Sequence, residues 1–132
     1  MVCEVTRGNM SKYAQHQKTL YAFMFALQKE IPEIRIFGRH VGMFYKQDGS
    51  PIKINRKGMA DLWAIYPLAH CLIHMEFEVK TKTGKQTENQ KKWQRFIESR
   101  KGLYLVVRED YRSAIVKTKE FINESERQML LR

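Results

Sequence analysis

The stretch Ile73-His-Met-Glu-Phe-Glu-Val-Lys80 alternates strictly between apolar and polar side chains. Such alternation is typical of a β-strand, because successive side chains point to opposite faces of a sheet. The predicted strand runs from about Cys71 to Lys80, with one face in a core and a row of ionisable groups on the other. The apolar face carries Cys71, Ile73, Met75, Phe77 and Val79, and the opposite face carries His74, Glu76, Glu78 and Lys80.

An acidic residue stands at the start of the preceding apolar run. Gly58-Met-Ala-Asp61 leads into a predicted strand from Asp61 to Tyr66, which ends at Pro67. The two strands are separated by a hairpin-like distance, so Asp61 is expected near Glu78. This pairing makes Glu78-Val-Lys80 more informative than it is alone, because isolated Glu-x-Lys pairs are common on surface strands.

The rest of the chain supplies elements that pack around these two strands. The predicted order, helix, strand, hairpin, two strands, helix, strand and helix, favours an α/β fold with a mixed central sheet flanked by helices. The 132 residues are expected to form a single domain, 1–132, with 1–10 irregular. The other predicted elements are a helix over Ser11–Glu30, a strand over Glu33–Phe37, a hairpin of Val41–Lys46 and Pro51–Asn55 around Gln47–Ser50, a helix from Thr87 to about Arg100, a central strand over Leu103–Val107 and a last helix from Asp110 to about Asn123.

The first predicted helix is apolar on nearly all sides, which indicates burial on more than one side. Either one core surrounds the helix, or its second face forms the interface of a homodimer. The first face carries Leu20, Phe23, Met24, Leu27 and Ile31, and the second carries Tyr21, Ala22, Phe25 and Ala26.

Thr87 is predicted to cap the second helix, with Gln90 as its capping-box partner. Gln90 also shares a helical face with Trp93 and Ile97, so its amide is expected on the packed side near the start of the helix. The two roles of Gln90 are compatible. The side chains predicted to point inward from this helix are Trp93, Phe96 and Ile97.

The chain is strongly basic, with 24 Lys and Arg against 14 Asp and Glu and a formal net charge of +10. A basic surface favours a polyanionic partner such as DNA, since binding releases counterions from phosphate. The alternative is a solvated basic surface without a partner. The candidate DNA-binding residues are Arg39, Lys46, Lys53, Arg56, Lys57, Lys82 and Lys85.

Cysteine usage and hydropathy suggest a soluble, cytoplasmic protein. Cys3 and Cys71 form no CxxC motif and are too few for a disulfide scaffold, which favours a reducing, intracellular setting. No signal peptide is predicted, and no apolar run reaches the roughly 18 residues that span a bilayer. Zinc binding by Cys71 and His74 is disfavoured, because strand parity sends the two side chains to opposite faces. His16 and His40 are weaker candidates for phosphate contacts.

The grouping of Asp61, Glu78 and Lys80 suits phosphodiester hydrolysis. Two carboxylates on adjacent strands can share one hard divalent ion, and the backbone carbonyl of Val79 is available as a further ligand. Lys80 lies on the same face as Glu78, where it can orient the attacking water or stabilise developing charge. These residues predict a metal-dependent hydrolytic site, with Asp61, Glu78 and Val79 as the metal ligands.

The motif residues resemble the PD-(D/E)xK nuclease superfamily. The quoted residues are Gly58-Met-Ala-Asp61, Glu78-Val-Lys80, Gly84 and Gln90-Lys-Lys-Trp93. They are most similar to the VRR-NUC (virus-type replication-repair nuclease) branch and its stand-alone phage members, over roughly residues 13 to 123. The resemblance implies a restriction-endonuclease-like core and Mg²⁺- or Mn²⁺-dependent cleavage of DNA. It also implies a homodimer that acts on branched or four-way junction DNA in replication, recombination or repair, without a small-molecule cofactor.

The resemblance also assigns roles to individual residues. Asp61 and Glu78 would bind metal, Lys80 would be the catalytic lysine, and Gln90 would line the site from the following helix. Two departures stand out, since Ala60 replaces the usual proline and the first helix lacks the family's glutamate. The resemblance matches Gln17 to a glutamine of the pattern, which makes Gln17 a candidate additional site residue, and the sequence is compatible with either one ion or two.

Two functions of another class compete with nuclease activity. The first is a non-catalytic DNA-binding module that has kept the nuclease fold, which the missing glutamate favours. The second is a structural protein that uses the apolar first helix as its interface. The grouping of Asp61, Glu78 and Lys80 favours the nuclease, because binding alone does not require carboxylates that face a phosphate.

Overall fold

A computed structural model of the protein describes residues 11–39 and 42–131. The expectations for 1–10, His40 and Val41 lie outside these residues. Within them, the chain forms three helices, a mixed sheet of four strands and a two-stranded hairpin. The elements in order are α1 (Lys12–Glu30), β1 (Arg35–Gly38), β2 (Gly42–Tyr45), β3 (Pro51–Ile54), β4 (Leu62–Pro67), β5 (Leu72–Val79), α2 (Glu88–Ser99), β6 (Leu103–Val107) and α3 (Arg112–Leu130).

The four-stranded sheet has the order β1-β4-β5-β6. The β1–β4 and β4–β5 pairs are antiparallel, and β5 and β6 are parallel. The prediction that β6 is central is wrong, because it lies at the edge of the sheet that the described residues form. Its apolar sequence has another cause: Leu105 packs in the main core on one face, and Tyr104 packs under α2 on the other. A strand covered on both faces is apolar throughout even without two neighbouring strands.

The main core lies between one face of the sheet and the helices α1 and α3. The alternation predicted for β5 is confirmed, since Met75, Phe77 and Val79 all point into this core and are almost completely buried. The Phe23 and Phe77 rings meet edge to face, with centroids 5.0 Å apart. The helical side chains buried in this core are Leu20, Phe23, Leu27, Ala114, Ile115 and Ile122.

The helix α2 covers the other face of the sheet over β5 and β6. Its Ile97 packs with Tyr104 and with Ala60, which precedes the motif aspartate. Gly58 permits this close approach, because its φ is +94° and a side chain there would come within 2.5 Å of the Asn89 carbonyl oxygen. The Gly-x-x-Asp spacing therefore fixes the loop before β4 against the first turn of α2.

The predicted first helix is confirmed, and Ser11 caps it by accepting a hydrogen bond from the Ala14 N–H at 3.1 Å. The interpretation in which one core surrounds this helix is wrong. Tyr21 and Phe25 are 64% and 73% exposed, whereas Phe23 is fully buried. The described residues therefore bury only one face of α1.

Three smaller predictions also have clear outcomes. The hairpin is confirmed, and Gly49 takes a φ of +86° in its turn. The last helix begins at Arg112, not at a cap formed by Asp110, and its N-cap residue Tyr111 makes no side-chain capping bond. Phe96 does not point inward, since it is 49% exposed.

None of the described helices combines the length and apolarity needed to cross a membrane.

Candidate active site

Asp61 lies in the turn that leads into β4, directly after the fully buried Ala60. Its Oδ2 accepts a hydrogen bond from the Val79 backbone N–H at 2.8 Å. Its backbone carbonyl accepts a hydrogen bond from the Arg39 N–H, also at 2.8 Å. The carboxylate is thus held at the end of β5 although it belongs to the start of β4.

Glu78 faces Asp61 from the neighbouring strand. Leu62 pairs with Phe77, so the continuation of this antiparallel register places Asp61 opposite Glu78. Glu78 is only 3% exposed, and its Oε2 has no hydrogen-bond partner among the described residues. A buried, unpaired carboxylate oxygen is unusual, because burial without a partner carries a large desolvation cost.

The proton affinity of Glu78 reflects this environment. Burial and the nearby Asp61 carboxylate raise its pKa to about 8, and the smaller opposing effect of Lys80 does not cancel them. At pH 7 and without a metal ion, the Glu78 carboxyl is therefore mostly protonated. Lys80 Nζ lies 3.7 Å from Glu78 Oε1, but it forms no ion pair with a Glu78 carboxyl that is neutral.

Gln90 connects α2 to this pair of carboxylates. Its Nε2 donates a hydrogen bond to Glu78 Oε1 at 2.8 Å. Its Oε1 accepts one from the Thr87 N–H at 2.8 Å, which completes a capping box with the Thr87 hydroxyl. Both predicted placements of Gln90 are present together. The cap fixes the start of the helix, and this in turn fixes the amide against Glu78.

The described residues bring two carboxylates together but do not form a complete protein-only metal cage. They contain no group of three or more His, Cys, Asp or Glu side chains placed to hold a metal ion. The Asp61 and Glu78 carboxylates are nevertheless suitable donors for a hard divalent cation, which commonly retains several waters. The unpaired Glu78 Oε2 supplies the free donor that such an ion requires, so these residues fit Mg²⁺ or Mn²⁺.

His16 and Gln17 extend the site along α1. His16 Nε2 lies 3.3 Å from Asp61 Oδ2, and Gln17 Nε2 lies 3.5 Å from His16 Nδ1. Both residues, with Tyr13 and Asp61, line a cleft of about 480 Å³ that opens beside the carboxylates. The contact of His16 with Asp61 was not expected from the sequence, because no local pattern places residue 16 against residue 61.

Most of the predicted DNA-binding residues are exposed, but Arg39 is not, which corrects its placement on a solvated DNA-binding surface. Its side chain is 9% exposed, and its guanidinium forms a bidentate ion pair with the fully buried Glu76. Arg39 also donates to the Ala60 carbonyl at 3.1 Å. Its position at the end of β1 directs it under α2 and not onto a solvated arm. The predicted DNA-binding residues that are exposed are Lys46, Lys53, Arg56, Lys57, Lys82 and Lys85.

Glu76 is the centre of a second polar cluster that the sequence did not reveal. It accepts hydrogen bonds from Arg39 and from Trp93 Nε1, the latter at 2.8 Å, and lies 2.5 Å from His74 Nε2. Burial alone would raise its pKa, but the bonds from His74, Arg39 and Trp93 outweigh burial and leave the pKa below its ordinary value. The alternation of β5 placed Glu76 correctly on this face, yet nothing local indicated its partners.

Comparison with known proteins gives no family assignment. No protein-family model matches the chain, and no curated protein sequence matches it.

Proposed function

We propose that this protein is a metal-dependent DNA endonuclease with a restriction-endonuclease-like core, similar to the VRR-NUC branch of the PD-(D/E)xK superfamily. The order of its elements and the placement of the motif residues support the proposal. Asp61 leads into β4, Glu78 and Lys80 stand at the end of β5, and Gln90 reaches the same place from α2. The resemblance noted in the sequence involves these same residues.

The observation that carries the proposal is the buried Glu78 carboxyl group. Its Oε2 lacks a hydrogen-bond partner among the described residues, and its pKa is raised to about 8 by burial and by Asp61. A group that served only stability would be better replaced by a neutral side chain. A divalent cation between the two carboxylates would offset their mutual repulsion and provide the missing partner.

Asp61 and Glu78 would hold the ion, with the Val79 carbonyl as a further donor. A bound Mg²⁺ or Mn²⁺ supplies charge neutralisation at the phosphate and acidifies a coordinated water. The two carboxylates are already fixed by the Val79 N–H and by Gln90, respectively. This fixation lowers the reorganisation that binding would otherwise require.

Lys80 is the residue that acts on the reacting groups. Its position two residues after Glu78 puts it on the same side of the sheet, with Nζ 3.7 Å from Glu78 Oε1. An ammonium at this position can orient the attacking water or stabilise charge that develops on the phosphate oxygens. The Lys80 backbone N–H donates to the Val107 carbonyl at 2.8 Å, which fixes the base of the side chain.

The polyanionic substrate is supported by the charge of the chain. The formal net charge is +10, and the exposed Lys82 lies in the loop that follows Lys80. Arg108 holds this loop by donating to the carbonyls of Thr81 and Gly84 at 2.7 and 2.9 Å. A fixed basic loop next to the carboxylates is a suitable position for contacts with the DNA backbone.

The test is cleavage of labelled single-stranded, duplex, flap and four-way junction DNA with Mg²⁺ or Mn²⁺. We expect cleavage by the wild type, and loss of cleavage by at least about a hundredfold in Asp61→Asn, Glu78→Gln and Lys80→Ala. DNA binding and thermal stability are measured on the same preparations, with Lys91→Ala as a control on an exposed lysine. Unchanged cleavage by Lys80→Ala would contradict the site.

A second candidate is a non-catalytic DNA-binding module. The described residues contain no group of three or more His, Cys, Asp or Glu side chains placed to hold a metal ion, which favours this alternative. If the wild type binds the DNA panel but cleaves none of it with either ion, this alternative replaces the nuclease.

We also propose that the protein forms a homodimer through the outer face of α1. Tyr21 and Phe25 lie one helical turn apart on this face and are largely exposed, so a second copy would bury them. Solution mass by light scattering tests the proposal. We expect a dimer that becomes a monomer in Phe25→Asp, and a strict monomer at high wild-type concentration would contradict it.

A further inference from the structure

Five rings on one side of the sheet form a surface that lies outside the main core. The cross-strand pairs Phe37–Trp63 and Trp63–Glu76 place these side chains on the sheet face that also carries Glu78. We call the surface the aromatic strip. Its members are Phe37, Trp63, His74, Trp93 and Phe96.

The rings of the strip are in two groups, of which the first is stacked and the second is a tilted pair. Phe37 and Trp63 are 4.5 Å apart with an interplanar angle of 25°, and Trp63 and His74 are 6.0 Å apart at 22°. Trp93 and Phe96 form the second group, with centroids 5.3 Å apart at 30°. The planes are near-parallel in the first group and tilted in the second, so a further flat ring can stack against an exposed outer ring of either group.

Glu76 joins the two groups and holds their orientation. It lies 2.5 Å from His74 Nε2 in the first group and accepts from Trp93 Nε1 at 2.8 Å in the second. Glu76 itself is fully buried, so it presents no carboxylate at the surface. The rings are therefore positioned by a buried acid without adding negative charge to the strip.

Two arginines lie against the rings, of which Arg100 adds positive charge, whereas the charge of Arg39 is paired with Glu76. The Arg39 guanidinium carbon lies 5.9 Å from the centroid of Trp93, and that of Arg100 lies 5.7 Å from the centroid of Phe96. A cavity of about 370 Å³ opens between His74, Trp93, Phe96 and Arg100. Phe37 and Phe96 at the two ends are 41% and 49% exposed, so both groups are accessible from solvent.

The strip begins next to the carboxylates. Trp63 lies two residues after Asp61 on β4, and Glu76 lies two residues before Glu78 on β5. Two residues along a strand correspond to about 6.6 Å. A DNA strand whose phosphate lies at Asp61 and Glu78 would thus bring its neighbouring nucleotides over the strip.

We propose that the aromatic strip is a binding site for the unpaired bases of single-stranded DNA beside the site of cleavage. Stacked aromatic rings with nearby arginines are how proteins bind single strands without reading their sequence. The formal charge of +10 favours a polyanion as the occupant over a second copy of the same basic chain. The inference rests on the proposed function in taking DNA as the ligand, and it narrows the substrate to DNA with an unpaired segment.

Binding is measured in EDTA, so that no cleavage intervenes, with the full chain and three ligands. These are an oligothymidylate, an abasic oligonucleotide of the same length and a blunt duplex. The chain has 2 Trp residues, and both Trp63 and Trp93 belong to the strip. We expect the oligothymidylate to quench their fluorescence at saturation. The abasic strand should bind about tenfold more weakly and quench little, because it has the phosphates but no bases to stack.

Phe96→Ala should weaken oligothymidylate binding about tenfold and leave abasic binding unchanged. Phe96→Trp should restore the affinity, and Phe96→Leu keeps apolar bulk without a ring. Val116→Ala is the matched control, because Val116 is 48% exposed on α3 and lies outside the strip. Thermal unfolding of each variant verifies that the fold is retained.

Equal affinity for the thymidylate and abasic strands would overturn the proposal. So would a Phe96→Ala variant that changes the solution mass but binds the thymidylate normally, since the strip would then be a protein interface. The nuclease proposal fails separately, if the wild type binds and quenches as expected but cuts no DNA with Mg²⁺ or Mn²⁺. If the protein cleaves DNA without preferring a single strand that carries bases, the nuclease proposal stands and the proposed role of the aromatic strip is contradicted.

Discussion

Glu76 and Glu78 stand two residues apart on the same face of β5, yet their environments are opposite. Glu76 is fully buried and its oxygens contact Arg39, His74 and Trp93, which leave its pKa below the ordinary value despite burial. Glu78 is nearly as buried, but its Oε2 has no partner among the described residues, and burial with the Asp61 carboxylate raises its pKa to about 8. The same residue type on one strand thus occupies a satisfied and an unsatisfied position.

The helix α2 contacts both glutamates in the same way, which makes the difference more informative. Trp93 donates to Glu76 and Gln90, three residues earlier, donates to Glu78, both at 2.8 Å. What differs is the nearby charge: Glu76 forms a bidentate pair with the Arg39 cation, whereas Glu78 faces the Asp61 carboxylate, whose effect on its pKa exceeds that of Lys80. A cation supplied from outside the chain would make the two positions equivalent. Burial by itself therefore does not distinguish a structural acid from a functional one. The hydrogen-bond partners and neighbouring charges of each carboxyl do distinguish them.

The largest expected difference is in stability. Glu76→Gln leaves the nearly buried Arg39 guanidinium without its counter-charge, so we expect a loss of about 3–5 kcal/mol in the free energy of unfolding. Glu78→Gln replaces a mostly protonated carboxyl with a neutral amide of similar shape, and it should not destabilise the protein at pH 7, because the wild type takes up a proton at Glu78 on folding and the variant does not. Urea unfolding of both variants measures the difference. Equal losses of stability in Glu76→Gln and Glu78→Gln would contradict the proposed difference between the two glutamates.

The two glutamates should also give opposite pH dependences. The folded pKa of Glu78, about 8, lies above the ordinary 4.5, so the folded state binds more protons and stability falls as the pH rises from about 4.5 to 8. The folded pKa of Glu76 lies below 4.5, so its contribution is present above that pH and is lost as the pH falls through the folded pKa.

The effect of Glu78 is on the order of a few kcal/mol at most. The contribution of each glutamate is measured without metal across the pH range. It is the free energy of unfolding of the wild type minus that of the corresponding variant, Glu78→Gln or Glu76→Gln. Glu78→Gln should remove the loss of stability between pH 4.5 and 8 and leave the acid side unchanged. A Glu78→Gln difference that stays constant with pH would show that the carboxyl is already ionised in the folded protein.

Divalent cations should stabilise the protein through Glu78 and not through Glu76. At a free Mg²⁺ or Mn²⁺ concentration of about 100 Kd, binding to the folded state adds about 2.7 kcal/mol. Asp61→Asn and Glu78→Gln should lose this gain. Glu76→Gln, where it folds, should retain it, because Glu76 lies outside the proposed metal site. Thermal unfolding with and without the ion is the measurement, and a gain that survives in Glu78→Gln would place the ion elsewhere.

The smallest effect separates the two roles of Gln90. Thr87→Ala removes the side-chain cap of α2 and should cost about 1 kcal/mol in stability while cleavage persists. Gln90→Ala removes the reciprocal capping bond and the bond to Glu78 together, so cleavage should also fall. Comparison of unfolding and cleavage for the two variants tests this. A parallel loss of cleavage in Thr87→Ala would mean that the cap, and not the amide, supports Glu78.

Much of the fold could be predicted from local pattern. The alternation in β5, the helical spacing of α1, the hairpin turn at Gly49 and the capping box at Thr87 are all confirmed. Each depends on residues close together in the chain, where sequence spacing determines geometry directly. The central placement of β6 failed because an apolar strand reports burial on both faces and not the number of neighbouring strands.

Part of the candidate site was predictable for the same reason. Strand parity placed Glu78 and Lys80 on one face, and the capping box placed Gln90 near them. Gly-x-x-Asp placed Asp61 at the start of the adjacent strand. The contact of His16 with Asp61 and the ion pair of Arg39 with Glu76 were not predictable, since they join residues 45 and 37 positions apart.

The sequence by itself determined which side chains share a face of β5 and which lie in its core. Only the tertiary structure decided what each of those side chains meets across the sheet and under α2. Periodicity specifies direction relative to the local backbone, whereas partners depend on how distant elements pack. For this reason Glu76 and Glu78 look alike in the sequence, and one is paired with Arg39 in the fold while the other is left facing Asp61.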